Sequence, residues 1–575
     1  MTGMVPTAGF GLPVRVAPRP NRAVHALEQG RARLSVAMAA FGMAFVGISL
    51  GLVNATVLRQ SAEPDIAQAA PARTLQASRA DIVDRNGVVL ATSLVTQSLY
   101  ADPKLVINPV EAAEKLTAAL TDLDYGDVLQ KLKADKRFVW IKRNLSPRES
   151  YIVNRLGIPG VAFQREERRV YPQGSLAAHV VGFTGVDNNG LMGIEQSFDK
   201  ELRGSTEAVN LSLDVRLQHI MRRELKGAVE EFSAIGGAGM IFDIRTGEIL
   251  SMVSLPDFDP HDPVGLDENT RFNRNTLGVY EMGSTFKIFN SALAFETGRI
   301  TPTSHFDASR PIQVGRYTIS DYHGKNRVLS VAEVFQYSSN IGSVRMVLEA
   351  GVPAQRALLT KLGLTSKPTL EIPEVGAPMV PNPWREINAM TISFGHGLSV
   401  SPLQVVTATA AVVNGGIMRH PTILKRNEAE PMSGERVVSP ATSMLMRKMM
   451  RLVVTEGTAG GAKAEGYVVG GKTGTAEKIT GRGYNAKARM SSFVGAFPIN
   501  DPRYVILVIL DEPKGIARTG GYATGGAAAA PLGGRVIRQV APLLGLTPVD
   551  ENRPDIRQAL DITAPPPRSS LLASH

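Results

Sequence analysis

Three short runs of residues are spaced for acyl transfer. Ser284 and Lys287 lie three positions apart, Ser338 and Asn340 lie two apart, and Lys472 opens a run that continues through Thr473, Gly474 and Thr475. Residues three apart on a helix share a face, so the Lys287 amine can reach the Ser284 hydroxyl. A serine attacks a carbonyl only when a neighbouring base takes its proton. A lysine can be that base only if burial or a second cation lowers its pKa. Lys472 is the candidate for that second cation, remote in sequence and brought close by the fold. Together the runs read as a serine nucleophile, its own lysine base and a cradle for a peptide-like carbonyl.

Each run is weak alone. Ser197 and Lys200 repeat the Ser284 to Lys287 spacing and read as a surface helix without chemistry. Ser284 differs in its surroundings: a turn-forming Gly283 precedes it, and Phe286, Ile288, Phe289, Ala292 and Leu293 follow at helical spacing. The pattern places Ser284 at a helix N-terminus, where free backbone N–H groups and the helix dipole favour a developing oxyanion. Residues 466–473 match the phosphate-loop pattern of an ATPase. The Gly- and Ala-rich stretch before them, and Gly474 directly after Thr473, suit neither the strand nor the helix such a loop requires. Tyr467 to Lys478 reads instead as a strand bent at its glycines.

These residues need elements to hold them, and 575 residues at 43% hydrophobic and 20% charged suffice for several cores. Without cysteine there are no disulfides, thiolate metal sites or thiol nucleophile, and nine scattered histidines give no metal motif, so no metal and no cofactor is expected. The net charge of +10 does not point to nucleic acid. Arg15, Arg19, Arg22, Arg31 and Arg33 face only Glu28 in residues 1–33, and the uncharged run Leu34 to Leu58 follows directly. That run is long enough to span a bilayer once, and the arginines before it place the N-terminus in the cytoplasm. Ala67 to Ala69 resembles a signal-peptide cleavage site but lies too far beyond an apolar run that is itself too long, so an uncleaved anchor is expected.

Further along, Arg79 to Ala91 reads as two short strands around the Asn86–Gly87 turn. The Arg, Asp and Glu residues of that segment, with those between Arg168 and Gly204, read as a solvated polar network holding a small domain together. Gly520 to Gly526 reads as a rim loop or strand edge at the site. Residues 547–575, with Ala564 followed by three prolines, read as a flexible tail.

The ordered trio resembles the penicillin-binding transpeptidases and serine β-lactamases, and Arg79 to Gly87 looks like the pedestal of class B penicillin-binding proteins. Coverage runs from the anchor to about Pro531. Gly182 to Asp187 with Gly193 to Glu195 is most similar to the division-specific branch; Ser393 to Gly397 and Ser401 to Gln404 also match. Met282 stands where many relatives have proline, and Leu532 where an aromatic residue is common.

The resemblance implies an α/β (α+β) transpeptidase/serine β-lactamase-like domain at 211–546. Before it come a cytoplasmic tail (1–33), a transmembrane anchor (34–58) and a mixed α/β periplasmic pedestal (59–210). It also implies roles: Ser284 as nucleophile toward the penultimate D-alanine of a peptidoglycan stem peptide, Lys287 as base, Ser338 as proton relay, Asn340 on the substrate amide and Lys472 as electrostatic tuner. Thr473 and Thr475, with Gly474 between them, would bind the terminal carboxylate, and the backbone N–H groups of Ser284 and Thr475 would form the oxyanion hole. The implied partners are stem peptides as D-Ala-D-Ala donor and amine acceptor, covalent β-lactams, the inner membrane, a polytopic glycan polymerase and other division proteins. The elongation-specific branch shares every catalytic motif and stays open beside the division-specific one. So do a carboxypeptidase or β-lactamase, in which water replaces the amine, and a membrane-bound penicillin sensor that binds without turnover.

Overall fold

The computed structural model describes residues 22–53 and 79–562, apart from 264, 316, 428–433 and 481–482. The chain divides into two units, 1–76 and 77–575. Of the first unit the structure describes one helix, α1 (Arg22–Val53). Its segment Arg31–Leu52 is apolar enough to cross a membrane and, at 1.5 Å per residue, about 33 Å long. Residues 54–58 of the expected anchor and the cleavage-like Ala67 to Ala69 lie outside the described residues.

In the second unit the apolar runs 236–255 and 504–511 fold into the centre of an antiparallel sheet. The strands β1 (Ile82–Val83), β2 (Val89–Ala101), β3 (Val139–Leu145), β4 (Val161–Val170) and β5 (Val209–Asn210) belong to the N-terminal part. The sheet itself comprises β6 (Gly236–Asp243), β7 (Ile249–Leu255), β8 (Gly470–Thr480), β9 (Gly483–Phe497) and β10 (Tyr504–Asp511), in the order β8-β9-β10-β6-β7. Every residue of β6, β7 and β10 is buried, so helices cover both faces. Helices α2 (Val215–Glu231) and, at the C-terminal side, Ala530–Leu543 pack on each other and on the sheet. A second layer holds α3 (Lys287–Glu296), α4 (Asn340–Ala350), α5 (Pro402–Val413) and α6 (Pro440–Glu456). All twelve residues of α5 are buried, as expected for a helix that is apolar on every side.

The hairpin read at Arg79 to Ala91 is β1 and the start of β2. Asp84 locks its turn by accepting the N–H groups of Asn86 (2.7 Å) and Val88 (2.9 Å), and ties it to the first residue of α2 through the Val215 N–H (3.1 Å). From Thr92 onward β2 leaves for a separate head, in which β3, β2 and β4 cover the helices Pro109–Ala119, Tyr125–Leu132 and Pro147–Arg155 around their own core. Residues 171–213, by contrast, share one continuous core with the large sheet, so there is no break between cores at 210.

Two expectations are corrected. Three of the polar residues read as a solvated network are buried instead: Arg79 (2% exposed) and Arg169 (6%) both bond Glu195 (0%), at 2.6 and 2.7 Å, whereas Arg168, Asp187 and Arg203 are exposed as expected. Arg79 also reaches the Glu195 carbonyl and Asp199, each at 2.7 Å. A multivalent guanidinium satisfies a buried carboxylate where isolated surface pairs could not. The tail expected from 547 begins with structure instead. Pro554–Leu560 is a helix whose Ile556 and Leu560, four apart, join the main core; residues 563–575 lie outside the described residues.

Candidate active site

Gly283 to Phe286 forms a 3-10 turn that runs directly into α3, so Ser284 stands half-buried at the helix entrance. The turn needs a glycine twice over. Gly283 has φ +54°, and a β-carbon there would lie 2.7 Å from the Thr475 carbonyl oxygen. Thr285 closes the turn by donating its hydroxyl to the Met282 carbonyl at 2.9 Å, and Met282 itself is buried.

Lys287, one turn further, is 1% exposed. Its Nζ lies 2.8 Å from Ser284 Oγ, 3.2 Å from Ser338 Oγ and 2.8 Å from Asn340 Oδ1. Lys472 Nζ, fully buried, lies 3.0 Å from Ser338 Oγ and 5.9 Å from the centre of the Phe335 ring. The Ser338 hydroxyl therefore bridges the two amines. Burial, and then the Lys472 charge, hold Lys287 well below the ordinary lysine range; burial pushes Lys472 down to about 7. Ser338 adopts φ +60°, a left-handed conformation costly for a side chain with a β-carbon. Ser339, directly after it, caps α4 by accepting the Gly342 N–H at 3.0 Å.

Lys472, Thr473, Gly474 and Thr475 lie on β8, which among the described residues is an edge strand paired with β9 alone, Lys472 opposite Val494 and Thr475 opposite Ser491. The phosphate-loop reading is thereby excluded: residues 470–480 are strand, with no helix at Lys472. The strand begins at Gly470 rather than Tyr467, because Gly466 turns at φ +82° and Ala464 bridges Tyr467. A β-carbon on Gly474 would meet Ser492 Oγ at 2.5 Å and the Met282 carbonyl oxygen at 2.7 Å. The strand edge and the helix entrance thus approach too closely for any side chain between them. The Thr473 hydroxyl sits 2.7 Å from that of Thr458, and Thr475 Oγ1 accepts the Gly525 N–H at 3.0 Å. The glycine-rich run 520–526 accordingly passes beside this strand. The decoy pair Ser197 and Lys200 lies exposed on two short helices broken at Phe198.

Four neighbours were given no role by the sequence, although His396 lies in the matching run Ser393 to Gly397. Asp321 accepts the Asn340 N–H (2.6 Å), the Ile341 N–H (3.0 Å) and the Ser339 hydroxyl (2.7 Å). Glu281 accepts the Gly397 N–H (2.7 Å) and the Tyr484 hydroxyl (3.1 Å). Burial pushes the Glu281 carboxyl up against the pull of those two donors. His396 stacks on Tyr484 with ring centres 5.3 Å apart, and burial followed by the Lys287 charge pushes it down to about 4, so it is neutral at pH 7.

An antiparallel sheet whose edge strand presents Lys-Thr-Gly to a serine with its own lysine defines a serine acyltransferase of the penicilloyl type. The penicillin-binding protein transpeptidase domain profile matches residues 237–538 and the penicillin-binding protein dimerisation domain profile residues 74–229. The chain belongs to the penicillin-binding protein transpeptidase family. It is 40% identical over 554 residues, 92% of its length and 93% of the relative's, to the probable peptidoglycan D,D-transpeptidase FtsI of Caulobacter vibrioides. It is 30% identical to peptidoglycan D,D-transpeptidase FtsI of Escherichia coli, over 82% of this chain and 84% of that one. Among solved structures, penicillin-binding protein 3 of Mycobacterium tuberculosis complexed with aztreonam superposes with a TM-score of 0.66 at 25% identity, covering 83% of this chain and 98% of that one.

Proposed function

We propose that the chain is a septal peptidoglycan D,D-transpeptidase acting through an acyl-serine. Ser284 Oγ attacks the carbonyl carbon of the penultimate D-alanine of a stem peptide while Lys287 Nζ takes the hydroxyl proton. The backbone N–H groups of Ser284 and Thr475 receive the oxyanion. The intermediate collapses by breaking the bond to the terminal D-alanine, whose nitrogen gains the proton through Ser338. Asn340 holds the substrate amide, and Thr473 and Thr475, beside Lys472, bind the terminal carboxylate; Gly474 lets the substrate backbone approach the strand. An amine from a neighbouring stem then attacks the ester, surrenders a proton to the Lys287 and Ser338 pair, and releases Ser284 as a hydroxyl. A β-lactam enters by the same attack, but its leaving nitrogen stays tethered and the adduct persists.

The observation that carries this reading is the 2.8 Å approach of the buried Lys287 amine to Ser284 Oγ, with a second buried lysine one hydroxyl away. The names of the Caulobacter and Escherichia relatives support the division role. The apolar helix α1 and the arginines around its start support a single inner-membrane span with the N-terminus cytoplasmic and the bulk periplasmic. A polytopic glycan polymerase and other division proteins are the partners this reading expects from the family resemblance. The test is fluorescent-penicillin labelling of the solubilised chain beside Ser284→Ala, with mass spectrometry of the tagged peptide. A stable adduct on Ser284 that vanishes in the variant is expected; no adduct, or one lost rapidly with hydrolysed drug, would sink the reading.

A further inference from the structure

We propose that Asp321 is a positioning residue for acylation: its carboxylate fixes the turn that brings Ser338 and Asn340 onto the Lys287 amine, and it brings a negative charge to that turn. The inference rests on the acyl-serine reading and adds a residue to it.

Asp321 lies between the short strands Tyr317–Ile319 and Val328–Ser330, in a stretch whose next six residues are exposed. Nothing in its spacing relates it to the three motifs. Its two oxygens nevertheless take donors from three consecutive residues at the end of the Ser338 to Asn340 motif: Oδ2 the Ser339 hydroxyl, Oδ1 the N–H groups of Asn340 and Ile341. The adjoining Ser320 carbonyl accepts Asn340 Nδ2 at 3.0 Å, which aims Asn340 Oδ1 at Lys287. A carboxylate at the first turn of the eleven-residue α4 is favoured by the free N–H groups and the dipole there. The same contacts hold Ser338 in its left-handed backbone conformation, where its hydroxyl meets both amines.

The second part of the role is electrostatic. The titratable groups facing Lys287 are Lys472 on β8, His396 in the turn after helix Glu386–Ile392, and Asp321. Burial and Lys472 drive the Lys287 proton off, His396 is neutral, and Asp321 acts in the opposite direction. A base whose pKa falls too far is unprotonated but weak, and catalysis is best when the pKa lies near the working pH. Asp321 therefore sets basicity as well as geometry.

The test is the second-order rate of fluorescent-penicillin acylation of the full-length, detergent-solubilised protein between about pH 5 and 9, for wild type, Asp321→Asn, Asp321→Ala and Ser339→Ala, with melting curves for each. Asp321→Asn removes the charge and keeps an acceptor. Its rising acid limb is expected at lower pH than in wild type, with a plateau about tenfold lower. Ser339→Ala breaks the hydroxyl contact to Asp321 and the cap on Gly342 but keeps the charge, so it is expected to acylate more slowly with the limb unmoved. An Asp321→Asn limb superimposed on that of wild type, or an Asp321→Ala protein acylating at the wild-type rate, would overturn the inference. If Asp321→Ala does not fold, the limb positions of Asp321→Asn and Ser339→Ala decide alone. An unlabelled wild type would defeat the acyl-serine reading itself, whereas a labelled wild type with an unshifted Asp321→Asn defeats only this proposal.

Discussion

Lys287 and Lys472 are among the largest fully buried side chains of the molecule, and each is costly there. The folded-state pKa of Lys472 is about 7 against an ordinary 10.5, so between these values the unfolded chain binds the extra proton and stability rises with pH. Below about pH 7 the whole penalty is present; approaching pH 10.5 it disappears. Lys472→Met is therefore expected to be more stable than wild type at pH 7, by a few kcal/mol, with the gap closing at alkaline pH in denaturant titrations, while acylation falls. Lys287→Ala is expected to lower the acylation rate by about 10²- to 10⁴-fold with its melting temperature retained or raised. Spacing made these residues legible: a helix dictates that positions 284 and 287 meet. Asp321 was not legible, because it is a single residue brought in by a loop with no periodicity linking it to the serine; Glu281 and His396 stood in stretches that were read, but nothing in their spacing assigned them a place at the site.

The site is a seam between two elements, the turn into α3 and the edge of β8, and its width is set by glycine. Gly474→Ala would push a methyl group against Ser492 Oγ and the Met282 carbonyl. Prising the strand from the helix entrance moves the Thr475 N–H relative to that of Ser284. A loss of about 10²-fold or more in acylation is expected, against a modest fall in melting temperature, read by labelling rate and calorimetry on one preparation. The strand was recognisable from its failure to be a phosphate loop: Gly474 after Thr473 suits an extended edge and spoils a helix start. Its first three residues were misassigned because a local bend at Gly466, closed by the Ala464 bridge to Tyr467, leaves no periodic mark.

Across the whole second unit, burial was the property hardest to read. Arg79, Arg169 and Glu195 look like surface residues by type, yet the base of the pedestal and the large sheet share one core around them. Glu195→Ala would leave two guanidinium groups in that core without their common partner, and a loss of about 3–5 kcal/mol is expected in urea unfolding. Truncation after residue 546 removes Ile556 and Leu560 from the same core and the Glu551 partner of Arg451. It should cost about 3 kcal/mol or more. The i, i+4 spacing of that apolar pair was visible in the sequence but overshadowed by the prolines that follow. The head behaves differently. Its chain departs at Thr92 and returns at Val170, and these two residues face each other across one antiparallel pairing. Departure and return are thus a single strand spacing apart, so the head is a cassette: it can be excised or exchanged for another through one short splice without re-routing the core beneath it.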